Sequence, residues 1–283
     1  MQREEFINKR IQEHYDYIKD KYDVIYLGLQ GSQNYELDVY DDEYKSDIDT
    51  KAIVLPSFED FVYNKTPVSK TIVLPNNEHI DVKDIRIMFE TLKKQNVNFI
   101  EILFTKYGII NKEYADLIGL LLQNKEQIAH LNYNQALRCM AGMSMEKLKA
   151  LQHPYPTIID KINKYGYDPK QLHHILRMND FIKKYAIGEI YEKCLIPDNK
   201  KYLIQIKKGI LSEKEAVELA VKTDNETKEI KDKYLKEQDE INKYAIEILD
   251  YVKFNILKRK FKKELLEERF NWKMKILNYK DMI

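Results

Sequence analysis

Before about residue 110 the chain alternates short apolar runs with polar turns, and from Lys112 onward it reads as helix with few breakers. Val24-Ile25-Tyr26-Leu27-Gly28-Leu29 is a continuous apolar run of strand length, as is the segment from Asp47 to Leu55. Glu78-His79-Ile80-Asp81-Val82-Lys83 alternates, with Ile80 and Val82 on one side and Asp81 on the other. Helices are predicted over 3–20, near Phe58 to Asn64 and from Ile85, with Asp84 as the N-cap of the last and a hairpin around Pro75-Asn76-Asn77. This order predicts an α+β fold, a small mixed sheet with helices on one side over 1–120 followed by an all-helical domain over 121–283. In the last third, Ile241, Tyr244, Ala245, Ile248, Leu249, Val252 and Ile256 recur at three- and four-residue spacing, an apolar stripe for packing on other helices.

Composition narrows the classes. The 283 residues are 44% hydrophobic, enough for one large or two modest cores, and the net charge of +1 excludes a globally basic nucleic-acid coat. Only Cys139 and Cys194 occur, without metal spacing, so neither a disulfide framework nor a zinc site is expected and a reducing cytoplasm fits. Met1 to Glu5 lacks the apolar segment of a signal peptide, and no run of about 18 apolar residues could span a bilayer. A soluble protein without a membrane partner is expected.

The candidate chemistry begins where the first strand ends. Gln30-Gly31-Ser32 is a tight turn that permits close backbone approach, and a short helix opening at Gln33-Asn34-Tyr35 would direct N–H groups and the Ser32 hydroxyl at a phosphate. Ser46-Asp47-Ile48-Asp49 follows. With strand alternation, Asp47 and Asp49 emerge on one face, where two carboxylates can share a divalent cation, Mg²⁺ or Mn²⁺ by their hard oxygen ligands. Strand, turn, gap and acidic strand in that order point to nucleotidyl transfer.

These residues resemble the DNA polymerase beta-like nucleotidyltransferase superfamily. Asn96-Val97-Asn98-Phe99-Ile100-Glu101-Ile102-Leu103 and Gly166-Tyr167-Asp168-Pro169-Lys170 through Arg177 are similar to its larger predicted members, associated with RNA repair and with phages. The likeness covers about residues 20 to 185. It departs at Glu36, which stands where many relatives carry a second glycine and puts a side chain beside the turn. The superfamily pattern implies a third carboxylate on a neighbouring strand, a metal ligand that also accepts the attacking hydroxyl's proton. Asp81 is the choice for it; Asp84 is better explained as an N-cap.

A second constellation lies at 166–177. Asp168 as N-cap, Pro169 at the first helical position and Gln171 completing a capping box start a two-faced helix, with Lys170, His173, His174 and Arg177 on one arc and Leu172, Ile175 and Leu176 opposite. The basic arc is read as lining the cleft, Lys170 and Arg177 toward phosphate and the histidines toward base and ribose or as helix caps, with Lys147 a weaker addition. Lys258-Arg259-Lys260-Phe261-Lys262-Lys263 is either an RNA contact or the ordinary complement of a helix end. The 21 tyrosines decide nothing by number.

The resemblance implies a metal-dependent transferase joining an NMP from a nucleoside triphosphate to an acceptor hydroxyl and releasing pyrophosphate, in the cytoplasm of a bacterium or a phage-infected host. Its implied site is Asp47, Asp49 and Asp81 for catalysis and metal, with Gly31, Ser32, Ser46, Lys170, His174 and Arg177 on the nucleotide. The helical domain would close the cleft. An RNA end, of tRNA or damaged RNA, is the first acceptor by family association. Nucleotidylation of a small molecule or protein, nucleotide binding without turnover, and a helical scaffold that recruits partners stand as alternatives.

Overall fold

The run from Val24 to Leu29 forms β1 (Asp23–Gln30), and its near-complete burial reflects a central place in the sheet. In this computed structural model, residues 3–41 and 44–280 are described, with side chains to residue 268; Met1 and Gln2 of the polar N-terminus fall outside them. Preceding β1 is α1 (Arg3–Ile18). After it come β2 (Asp49–Leu55), α2 (Phe58–Val62), β3 (Ser69–Val73), β4 (His79–Asp84), α3 (Ile85–Lys93), α4 (Val97–Ile100) and β5 (Gly108–Ile110). The described strands make one sheet of order β3-β4-β2-β1-β5. It is mixed, because β2 and β4 run parallel while every other neighbour pair is antiparallel.

Alternation assigns each strand two faces. Thr50, Ala52, Val54, Ile80 and Val82 point to one side, where Ala52, Val54, Ile80 and Val82 form an apolar cluster with Ile7, Ile11 and Ile18 of α1. His14 fastens that helix, its ring nitrogens 2.9 Å from Thr50 Oγ1 and 2.9 Å from Glu78 Oε2. Asp49, Lys51 and Ile53 point the other way, as do His79, Asp81 and Lys83. Ile53 joins the larger cluster, which runs from Ile25 through Phe89 and Leu137 to Phe181 and Leu249. Asp84 caps α3 as expected, its carboxylate accepting the Arg86 N–H at 2.8 Å.

Beyond the sheet come α5 (Ala115–Gln123), α6 (Lys125–Ala129), α7 (Tyr133–Ala150), α8 (Ile159–Tyr165), α9 (Pro169–Ala186), α10 (Tyr191–Leu195), α11 (Lys200–Lys207), α12 (Glu213–Tyr234) and α13 (Lys243–Lys280). The fold is thus α+β, an N-terminal mixed sheet with helices followed by a largely helical region. Helix α9 is its hub, packing on α7, α11 and α12. Asp168 caps it as predicted, accepting the Lys170 N–H at 3.0 Å. Gln171 departs from a capping box, because its amide donates to the Asp168 carboxylate at 3.3 Å while the Asp168 N–H is taken by Leu151.

The apolar stripe of α13 packs within the chain. Ala245, Leu249, Val252 and Ile256 are fully buried against the larger cluster, whereas Ile241 and Tyr244 are exposed. The basic cluster is largely neutralised: Arg259 pairs with Asp116 at 2.7 Å, Lys260 with Asp23 at 2.6 Å and Lys263 with Glu113 at 2.8 Å. Phe261 meets the rings of Phe58 and Phe61. These contacts give the cluster a role in tertiary packing. Among the described residues no helix is long and apolar enough to cross a membrane.

Candidate functional site

The turn after β1 is built for close approach. Gly31 sits at φ 100°, a conformation that side-chain-bearing residues rarely adopt, and the space where a Cβ would project is open. A single 3₁₀ turn, Ser32–Tyr35, follows. Asn34 secures it by donating to the Leu29 carbonyl at 2.8 Å and accepting from the Thr105 hydroxyl at 2.7 Å. Gln33 ties it to the acidic segment, its amide donating to the Asp47 carbonyl at 2.7 Å. Glu36 holds φ 57°, which explains why a glycine would suit that position, and its carboxylate reaches away to Lys200.

A cavity of 350 Å³ lies between this turn, the acidic edge of the sheet and helix α9. Gly31 and Ser32 form one wall; Asp47, Asp49, Lys51 and Asp81 form the next; Lys170, His173, His174 and Arg177 face them from α9. Tyr35, Tyr44, Phe99, Glu101 and Lys207 complete much of the lining. Every residue of the basic arc therefore reaches one space. Lys147 does not line it. Ser46 is also absent from the lining: buried, it accepts from the Val39 N–H at 2.9 Å and from the Lys207 ammonium at 3.3 Å.

The acids divide into two kinds. Asp47 is exposed and forms no ion pair among the described residues. Partial desolvation pushes its carboxyl above the ordinary range, with repulsion from Asp49 and Glu78 adding and Lys170 opposing. Asp49 accepts from the His79 N–H at 2.9 Å and lies 3.0 Å from His79 Nδ1. Asp81 shares their face and cavity, but the parallel register sets it against Lys51, and its two oxygens are engaged by the ammonium groups of Lys51 and Lys83. Burial works to raise Asp81, and the two lysines overcome it and hold it below the usual carboxylate range.

Among the described residues no three His, Cys, Asp or Glu side chains gather closely enough to hold a metal. Asp81 lines the cavity with Asp47 and Asp49 while both its oxygens are engaged by lysines, which leaves its carboxylate a weak base. Of the carboxylates in the cavity, Asp47 and Asp49 would hold a divalent cation, two residues apart in sequence, with Asp47 in no ion pair among the described residues.

Opposite, the charge comes from Lys170, Arg177 and Lys207. Both histidines are held neutral at pH 7, His173 pushed down to about 3 and His174 well below its ordinary value, by burial first and then by neighbouring positive groups. Arg177 is buried, its guanidinium 4.0 Å from the centre of the Tyr35 ring, and its Nε and Nη1 lack hydrogen-bond partners. Glu101 is equally buried; one oxygen accepts the Gly31 N–H at 3.3 Å and the other has no partner. Burial pushes Glu101 up to about 8, against the pull of Arg177. Arg177 and Glu101 both line the cavity, and each carries buried polar atoms without a hydrogen-bond partner.

No family model matches the chain, and no curated protein matches it. Among solved structures it is similar to a nucleotidyltransferase-like protein from Exiguobacterium sibiricum 255-15, at 12% identity over 89% of this chain and 80% of that one, with a TM-score of 0.29. A superposition so loose carries no argument about this chain.

Lys207, Lys51 and Glu101 are the site residues that sequence patterns did not single out. Glu101 lay in a segment noted for resemblance, without a role. Lys51 follows Asp47 and Asp49 at the same two-residue spacing, so strand alternation alone could have placed it on their face. Lys207 carries no local signal, because α9 and α11 bring it to Ser46 across 161 residues.

Proposed function

We propose that this protein is a nucleotidyltransferase of the polymerase beta-like kind, with the 350 Å³ cavity as its nucleoside triphosphate site. One observation carries the reading. An open glycine turn, a pair of carboxylates and a facing set of Lys170, Arg177 and Lys207 border the same space, and Arg177 brings buried N–H groups with nothing to bond.

In this reading Gly31 and Ser32 approach the β and γ phosphates, while Lys170, Arg177 and Lys207 neutralise the triphosphate. Tyr35, backed by Arg177, and Tyr44 offer aromatic faces to the nucleoside. Asp47 and Asp49 would hold Mg²⁺ or Mn²⁺, which when bound supplies charge neutralisation at the reacting phosphate. The acceptor oxygen bonds to the α-phosphorus, the bond to the bridging oxygen of the β-phosphate breaks, and pyrophosphate leaves. The hydroxyl proton passes to water, because Lys51 and Lys83 leave the Asp81 carboxylate a weak base. An RNA end remains the first acceptor to test.

The test is incubation with each α-³²P-labelled nucleoside triphosphate, Mg²⁺ or Mn²⁺ and total RNA, alongside Asp47→Ala/Asp49→Ala protein. Label transferred by the native chain and lost in the variant supports the enzyme. The engagement of Asp81 by two lysines favours a second reading, nucleotide binding without turnover, for which the same experiment gives tight binding and no labelled product.

A further inference from the structure

A second cavity, of 590 Å³, adjoins the first and shares Tyr44, Lys170 and Lys207 with it. Its outer wall is α8, which contributes Lys161, Lys164 and Tyr165. The charge there is one-sided. Lys164, Lys170 and Lys207 form no ion pair among the described residues, and of the two aspartates in the lining, Asp168 is already committed to capping α9. Lys161 stands 4.0 Å from that capped carboxylate. Burial pushes the Lys207 ammonium down to about 8, with Lys170 and Lys161 also lowering it against the pull of Asp47 and Asp38. Lys161 and Lys164 on this wall favour an anionic ligand beyond the donor's triphosphate, and Tyr165 supplies an aromatic ring on which a base can stack.

We propose that this second cavity seats the acceptor, and that the acceptor is a phosphorylated nucleoside whose phosphate lies at Lys161 and Lys164 while its hydroxyl passes Tyr44 and Lys170 into the first cavity. The proposal rests on the first cavity being the donor site. It selects among acceptors: an unphosphorylated metabolite or a protein hydroxyl makes no use of the lysines on α8. A polynucleotide end and a free nucleotide offer the same chemistry, and the experiment separates them.

Two probes are titrated separately into the full-length chain, a fluorescent nucleoside triphosphate for the first cavity and a 5′-fluorescein single-stranded RNA for the second, the latter also in competition with adenosine 5′-monophosphate. Lys161→Glu/Lys164→Glu alters two exposed side chains and leaves the core untouched. The expected result is RNA affinity lowered by about tenfold or more with triphosphate affinity held within about twofold. Competition by the monophosphate at matching affinity identifies a nucleotide as sufficient, and its failure to compete identifies the polynucleotide; both support the site. Unchanged RNA affinity in the double variant, or no binding of either acceptor probe to the native chain, overturns it. Failure of the donor reading is seen separately, as equal triphosphate affinity in the native and Arg177→Met proteins.

Discussion

Lys51 and Asp81 face each other across the parallel register of β2 and β4, and their ion pair occupies the cavity wall two residues beyond Asp49. The side chain of Lys51 is 3% exposed and that of Asp81 14%, so neither charge is well solvated. Breaking such a pair from one side strands the other charge. Asp81→Asn should therefore destabilise the protein by about 3 kcal/mol, and Lys51→Met/Asp81→Asn by clearly less. Urea unfolding of the native chain, both single variants and the double variant measures the coupling. Additive losses would show that the two side chains do not act as a pair.

Glu101 makes stability depend on pH. The folded protein keeps this carboxyl protonated up to about pH 8, whereas in the unfolded chain it ionises near 4.5. The contribution is thus fully present below 4.5 and lost as pH rises through 8, at up to about 1.4 kcal/mol per pH unit. Glu101→Gln keeps the shape and removes the titration. Relative to the native protein it should gain stability between pH 5 and pH 8, read from urea midpoints at both values; parallel shifts of the two proteins would contradict the assignment.

How much of this was legible in advance follows from the range of each signal. The Gly31-Ser32 turn, Asp47 and Asp49, and the Asp168-Pro169 start of α9 are local patterns, and the structure brings all but Pro169 and Asp168 directly to the first cavity. The face of Asp81 was also legible, because alternation is a property of one strand. Its partner was not. Which residue stands opposite Asp81 depends on the parallel register with β2, and nothing in either strand alone specifies it. The neutrality of the histidines was not legible for a related reason: a helical arc shows which side chains share a face, while burial, for His173 against Leu203 of α11, decides their charge.

Lys207 predicts how donor affinity varies with pH. Its ammonium is charged below about pH 8 and increasingly neutral above it, so affinity for a nucleoside triphosphate should fall between pH 7 and pH 9. Lys207→Met should bind about tenfold more weakly at pH 7 and show a flatter profile. Isothermal titration across that range tests both. A native profile that stays flat would remove Lys207 from the phosphate site.

Replacement of Arg177 by another cation is predicted to fail. Its planar group lies over Tyr35 and presents N–H donors that an ammonium cannot reproduce from the same backbone position. Arg177→Lys should lower triphosphate affinity by about tenfold or more while leaving the fold intact, as judged by circular dichroism. Native affinity in that variant would mean that the buried guanidinium serves packing alone.

The most direct test of the central claim is a titration of nucleoside triphosphate into the native, Asp47→Asn/Asp49→Asn and Arg177→Met proteins, each with and without Mg²⁺. The native chain is predicted to bind, and to bind more tightly when Mg²⁺ is present. Arg177→Met should lose affinity in both conditions, and the double aspartate variant should lose only the gain from Mg²⁺. Equal affinity in all three proteins, or no binding by the native chain, would contradict the assignment of this cavity to a nucleotide.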